Sequence, residues 1–284
     1  MDLKSRRLRF VFALIPAGFM TLVLVVPAIQ GLALSFDACG PSLSNYERLA
    51  QDSMFWRALG NNLVVPLGSL AFELLMGLLL ALYLTSRPRP PAVVGVLAVL
   101  PFAIPEIVLL ALARYLFIPR RYVNAALLAS GLSPLGWLTP NRSLALLTVV
   151  LVDAWHVTPV VMLVLMAGLH GIAPEVYEAA LLDGAGMFAT FRYITLPLLV
   201  PSIVAAVMLR GVDALRIFST PLVLTGAEGV PVLSTYAYQL WTDASQPHTA
   251  MAASVILALI VTALALLLAA LSQRFAARRP GSAL

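Results

Sequence analysis

Six long apolar runs leave this chain few architectures. They cover approximately residues 10–35, 61–85, 92–117, 143–169, 198–224 and 250–273, and each is long enough to cross the hydrocarbon core of a bilayer as a helix, which takes about 20 residues. One globular core could not hide them. Of 284 residues, 61% are hydrophobic and only 11% charged, where a soluble domain of this length carries roughly 25% charge. Lipid must therefore solvate most of the surface. The expectation is an all-α membrane protein with six transmembrane helices, forming a single domain over residues 1–284. Pro16, Pro27, Pro105, Pro159 and Pro201 fall within or near the ends of these runs. Packed membrane helices tolerate proline because neighbouring groups can satisfy the freed carbonyls.

Charge placement orients the chain. The first run follows Lys4, Arg6, Arg7 and Arg9; its apolar stretch is far longer than the roughly 7–15-residue core of a cleavable signal, so a retained helix is predicted. With the N-terminus inside, cytoplasmic segments hold ten basic residues: Lys4, Arg6, Arg7, Arg9, Arg87, Arg89, Arg192, Arg274, Arg278 and Arg279. External segments hold five, Arg48, Arg57, Arg120, Arg121 and Arg142. That asymmetry predicts both termini on the cytoplasmic side of a cell membrane. The net charge of +5 is thereby accounted for by topology, and nucleic acid is not an expected partner. Trp56, Trp137 and Trp241 fall in or beside external segments, where an interfacial belt forms. Those segments are about 25 residues each, too short for a separate domain. Gly77 and Ala81 in the second run fit a small-xxx-small packing pattern.

One cytoplasmic segment, residues 170–197, differs from the other loops. Pro174 suits the first turn of a helix, where its missing N–H costs nothing, and Glu175 then sits at the positive end of the helix dipole. Alanines and leucines carry the helix to Gly184 and Gly186, natural stop and turn residues. Met187, Phe191 and Ile194 follow at helical spacing on one apolar face, and Pro197 is expected to close this second helix and open the fifth span. The result is a helix–turn–helix with an acidic residue exposed at its tip, suited to docking.

The run Glu178, Ala179, Ala180, then Gly184, then Ile194, Leu196 and Pro197 resembles, at full spacing, the signature of binding-protein-dependent ABC importer permeases. Leu209, Arg210, Asp213, Arg216 and Phe218, followed by Leu224, Thr225 and Gly226, are similar to the fifth span of its carbohydrate-uptake branch, and Val123, Asn124, Gly131, Trp137 and Leu138 to its third external region. Where most such permeases continue with Gly-Gly-Pro, this chain has Ala227, Glu228, Gly229, Val230 and Pro231. The resemblance implies a type I ABC importer permease fold with a cytoplasmic coupling helix. It also implies a coupling site for an ATPase at Glu178, Ala179, Ala180, Asp183, Gly184 and Ala185. As partners it implies a second homologous permease forming a heterodimer, two ATP-binding subunits and an external substrate-binding protein. The solute would be a mono-, di- or oligosaccharide, with glycerol phosphate or another polar solute as the alternative.

Ionisable groups inside the spans are costly and face a bundle interior or an aqueous cavity. Candidates are Glu73, Glu106, Arg114, Asp153, His156, Arg210, Asp213 and Arg216. At three-residue spacing Arg210, Asp213 and Arg216 would share a helix face and neutralise one another, as would Asp153 and His156. These five are the candidate translocation path; the alternative is a buried network that pins helix packing. Trp155 and Tyr115 could stack on a sugar ring. Cys39 is alone, and His156, His170 and His248 show no metal-ligand spacing, so no metal, cofactor or catalytic residue is expected. A phosphate-binding P-loop needs a lysine, and Lys4 in the basic tail is the only one. ATP would have to be hydrolysed on a separate subunit. An ion-coupled carrier, with Asp153 and His156 as a proton relay, is the rival from another class.

Overall fold

A computed structural model describes residues 12, 14, 16–36, 42–86, 91–119, 121–139 and 143–277, with side chains to residue 272. Lys4, Arg6, Arg7, Arg9, Cys39, Arg87, Arg89, Arg120, Arg142, Arg278, Arg279 and the Arg274 side chain lie outside the described residues. In chain order the helices are α1 (Pro16–Leu34), α2 (Ser44–Gln51), α3 (Ser53–Thr85), α4 (Ala92–Ala103), α5 (Glu106–Phe117), α6 (Tyr122–Ala129) and α7 (Ser143–His170). They continue with α8 (Pro174–Leu182), α9 (Met187–Ala214), α10 (Ser219–Thr225), α11 (Leu233–Thr242) and α12 (Pro247–Ala277). Among the described residues there is no strand. Five helices, α1, α3, α7, α9 and α12, are long and apolar enough to cross a membrane, and there are six if the bent pair Ala92–Ala103 and Glu106–Ala129 is counted as one span.

The centre of the bundle is the α3–α7 pair. Phe55, Ala58, Asn62, Val65, Ser69, Glu73, Gly77, Ala81 and Leu84 recur every three or four residues on the buried stripe of α3. Opposite them α7 buries Val149, Asp153, Val161, Met162, Leu165 and Leu169. Contact is close because the residues are small: a Cβ on Gly77 would lie 3.1 Å from the Met162 amide nitrogen and 3.1 Å from Val161 Cγ1. Over its most apolar stretch α7 is 56% buried, whereas α1 and α12 are 0% buried. The last two form the periphery. His248 Nδ1 lies 2.8 Å from the Leu34 carbonyl, and Ser35 and Asn45 join the end of α1 to α2 through an Asn45–Ser35 hydrogen bond of 3.1 Å.

Three element boundaries differ from expectation, each at a proline. The third run is broken, not continuous: Ile104 is extended (φ −83°, ψ 134°) because the residue before Pro105 is barred from the helical region, and the chain bends sharply between Ala92–Ala103 and Glu106–Ala129. The second helix of the loop does not close at Pro197 but is continuous with the fifth span. It runs unbroken from Met187 to Ala214 through a π-helical segment, Phe191–Thr195. A proline ring clashes with the carbonyl four residues back and cannot donate to it; widening the turn around Tyr193 absorbs that conflict. The same device recurs in α1, where the π segment Thr21–Val25 precedes Pro27. Finally, the fifth span ends at Ala214 and not at 224. Pro221 could not donate to the Ile217 carbonyl, so the chain breaks at 215–218 before α10. The exposed carbonyls find side chains instead: Asn62 Nδ2 donates to Leu215 O (3.2 Å), Ser234 Oγ to Ile217 O (2.5 Å) and Arg114 Nη1 to Val223 O (3.0 Å).

Connections at the end of the bundle that carries α2, α6 and α11 are themselves hydrogen-bonded. Asn124, 1% exposed, satisfies its whole amide: Nδ2 donates to Pro119 O and Leu135 O, and Oδ1 accepts from Leu135 N and Trp137 Nε1. Asp52 caps α3 through Met54 N (2.8 Å) and accepts from Tyr236 Oη at 2.5 Å. Burial, then the hydrogen bond to this carboxylate, pushes the Tyr236 phenol well above its ordinary range.

Candidate functional site

A cavity of about 510 Å³ opens where the two helix breaks meet α7. Phe102 and Glu106 reach it from the α4–α5 break, Asp153, His156 and Val160 from α7, and Arg210, Asp213, Arg216 and Phe218 from the end of α9 and the strand-free segment after it. All five residues expected on the path, Asp153, His156, Arg210, Asp213 and Arg216, line this one space. Their pairing differs from expectation.

Arg210 is the hub. Its Nε donates to both Glu73 oxygens (3.1 and 3.0 Å), Nη2 to Asp153 Oδ2 (2.9 Å) and Nη1 to Asp213 Oδ2 (2.6 Å). Asp153 Oδ1 also accepts from Thr220 Oγ1 at 3.3 Å. Glu73, Asp153 and Arg210 are 0%, 6% and 5% exposed, while the Asp213 side chain is 69% exposed. The guanidinium fork thus ties α3, α7 and α9 together in the dry interior, and one carboxylate of the set looks out into the cavity. The Arg210–Asp213 pair is the i, i+3 contact expected from spacing. Arg216 does not join it, because α9 has already ended at Ala214 and the helical phase is lost; Arg216 is an exposed wall of the cavity. Asp153 and His156 do not pair either. The His156 ring faces Phe102, centroids 6.2 Å apart. Glu73, noted as an ionisable residue of the second span, is the partner sequence reasoning did not connect: it lies 137 positions from Arg210, and no periodicity relates them.

At the other end of α9 stands the loop. Ala173 is extended (φ −61°, ψ 133°) ahead of Pro174, which takes the first helical position. The helix stops as expected, in a Schellman turn. Ala185 N donates to Ala180 O (2.9 Å), Gly184 N donates to Leu181 O (3.1 Å), and Gly184 takes φ +72°. Glu178, Ala179, Asp183 and Gly184 are exposed, Ala185 is half-buried, and Ala180 turns inward at 5% exposure. The tip presents large apolar side chains to the outside: Leu181 is 76% exposed, Leu182 90%, Met187 88% and Phe188 78%. A Cβ on Gly184 would meet nothing within 4 Å in this chain. Behind α8, a second cavity of about 940 Å³ separates it from the ends of α3 and α7.

Over residues 73–280, the stretch that holds Glu73, the charge cluster and this loop, the chain matches the family described as binding-protein-dependent transport system inner membrane component. It is 38% identical over 188 residues to the trehalose/maltose transport system permease protein of Thermococcus litoralis, covering 65% of this chain and 62% of that protein. It is 30% identical over 231 residues to the trehalose transport system permease protein of Mycobacterium tuberculosis, covering 78% of this chain and 74% of that protein. Among solved structures, a bacterial ABC transporter involved in the import of the acidic polysaccharide alginate superposes with TM-score 0.85 at 26% identity, over 96% of this chain and 97% of that chain. The loop, the all-helical fold and these likenesses agree, and the chain belongs to the binding-protein-dependent inner membrane components, as a multi-pass permease of the ABC importer fold.

Proposed function

We propose that this chain is one half of the pore of an ATP-driven importer for a sugar delivered by an external binding protein. The observation that carries this reading is the docking tip. Leu182 and Met187 are 90% and 88% exposed at the end of the bundle, on either side of the turn that the Schellman motif closes. Apolar side chains displayed so fully are suited to burial in a partner. That partner is an ATP-binding subunit, two copies of which would serve a heterodimer of this chain with a second homologous permease. Glu178, Ala179, Asp183 and Gly184 form the exposed side of the contact, with Ala180 and Ala185 supporting it from behind. The loop end, and with it both termini, is then cytoplasmic, in the inner membrane of the cell.

The cavity is the section of the path that this subunit contributes. Broken helices whose polar groups meet at one space are how membrane carriers build a site in mid-bilayer. The cluster divides by burial into two roles. Glu73, Asp153 and Arg210 pin three helices, while His156, Glu106, Arg216 and the exposed side of Asp213, whose Oδ2 is held by Arg210, hydrogen-bond a passing hydroxylated solute beside the rings of Phe102 and Phe218. Names of the relatives, trehalose/maltose and trehalose permeases, favour a sugar. Transport follows alternating access: closure of the ATPase pair binds one arrangement of the spans more tightly than the other, and α8 carries the bias into the bundle. An ion-coupled carrier loses its geometric basis, since both Asp153 oxygens are engaged by Arg210 and Thr220 and His156 faces a phenyl ring.

Uptake of labelled trehalose and maltose into right-side-out membrane vesicles, with ATP inside and the external binding protein outside, tests the energy source. Uptake that needs ATP and survives a protonophore is expected; uptake that collapses with the proton gradient and ignores ATP would overturn the reading.

A further inference from the structure

The docking helix is barely fastened to the bundle it is supposed to move. Behind α8 lies the 940 Å³ cavity, lined by Leu82, Tyr83, His170, Tyr177, Met187 and Thr195 among others, and Ala180 is the one residue of α8 that is buried. The covalent route from α8 to α9 runs through Asp183, Gly184, Ala185 and Gly186, a turn with one glycine at φ +72° and a second directly before α9. Such a turn yields under load, because glycine resists rotation least. A push on α8 would be lost there unless another connection carried it.

Among the described residues one side-chain hydrogen bond ties α8 to a span. Thr195 Oγ1 lies 3.4 Å from Tyr177 Oη and donates to it. Thr195 is 5% exposed and closes the π segment Phe191–Thr195 at the base of α9. The Thr190 carbonyl, at 3.5 Å, is a second acceptor within reach of that same hydroxyl hydrogen. From Thr195 the helix continues for 15 residues to Arg210, about 22 Å at 1.5 Å per residue, and ends in the cluster that lines the other cavity. Tyr177 therefore stands on the docking helix, and its hydroxyl touches the foot of the span that carries Arg210 and Asp213.

We propose that Tyr177 is a positioning residue for energy coupling: its hydroxyl, bonded to Thr195, is the strut that transmits displacement of α8 to α9. The inference rests on the reading of α8 as the ATPase-docking helix and adds how that helix is geared to the path. It assigns Tyr177 no contact with ATP or solute.

The test uses the assembled complex in a Cys39→Ser, Ser219→Cys background, where the new thiol reports on the cavity wall. Maleimide labelling is timed with and without ATP and vanadate, alongside ATP hydrolysis and recovery of the ATP-binding subunit. The parent is expected to change its labelling rate several-fold on vanadate trapping. Tyr177→Phe, which removes only the hydroxyl, is expected to abolish that change while the ATPase still co-purifies and hydrolyses ATP. Thr195→Val should do the same, Thr195→Ser should keep the response, and Tyr177→Phe with Thr195→Val should be no worse than either alone. A full response in Tyr177→Phe overturns the strut. So does additive loss in the double variant, or loss of the ATPase from Tyr177→Phe, which would make Tyr177 part of the dock. Failure of the parent itself to recover an ATPase would instead strike the docking reading, and the strut with it.

Discussion

Arg210 carries one positive charge into the interior and meets two buried carboxylates there, at 3.0 and 2.9 Å, and the exposed one of Asp213 at 2.6 Å. Such a group is stabilised by its partners and not by its surroundings, so removing it leaves Glu73 and Asp153 buried side by side without a cation. Breaking a buried pair in this way costs about 3–5 kcal/mol. Arg210→Met is therefore expected to lower the melting temperature of the detergent-purified protein sharply, and Arg210→Lys to restore part of it, since an ammonium keeps the charge but not the three-way fork. A melting temperature unchanged in Arg210→Met would show that the cluster holds nothing together. How much of it could be read in advance follows from distance along the chain. Arg210 and Asp213 were legible because three positions on one helix put them together. Glu73 was visible as a charge in a span, but its partner is 137 positions away, and nothing local encodes that. Arg216 was misplaced on the shared face because the helix was carried through Pro221, whose ring reaches back to Ile217.

Elements were read well from hydropathy and less well where proline intervenes. α3, α7 and α12 each contain an expected run, α9 covers the fifth only as far as Ala214, and α3 begins at Ser53, ahead of the apolar stretch, because Asp52 caps it. Proline was treated as a tolerated passenger or a stop, and the fold uses it in a third way. Pro27 and Pro197 each follow a π segment by two residues, so the helix widens and continues. The small residues of α3 were correctly read as packing positions. At Gly77 the nearest atoms to an added Cβ are backbone and a branched side chain of α7, at 3.1 Å, neither of which can yield easily. Gly77→Leu is expected to push α3 from α7 and destabilise the bundle by about 1–3 kcal/mol or more. Gly95→Leu is the control, since a Cβ there meets nothing within 4 Å. Comparing thermal unfolding of the two variants checks this, and equal melting temperatures would refute close packing at the centre.

The whole molecule is an unevenly buried bundle, from 56% in the most apolar stretch of α7 to 0% in those of α1 and α12. Two cavities lie at opposite ends of α9, one walled by charges and one behind the docking helix. A single helix therefore joins the surface offered to a partner to the space offered to a solute, and this is the physical content of the proposed coupling. Which class of molecule this is was legible early, because apolar length and a spaced loop motif are local properties of the chain. The shape of the path was not, since it arises where two helices break and meet a third. The most direct measurement of the central claim is co-purification of tagged protein from its native membrane, comparing the unaltered chain with Gly184→Asp. Aspartate is among the residues that best tolerate a left-handed backbone, and a Cβ at 184 meets nothing within 4 Å, so the variant should fold and insert. The account predicts an ATP-binding subunit and a second permease with the unaltered chain, and loss of the ATP-binding subunit alone from the variant. Recovery of the unaltered chain without any ATP-binding subunit, or equal recovery of that subunit with Gly184→Asp, would contradict it.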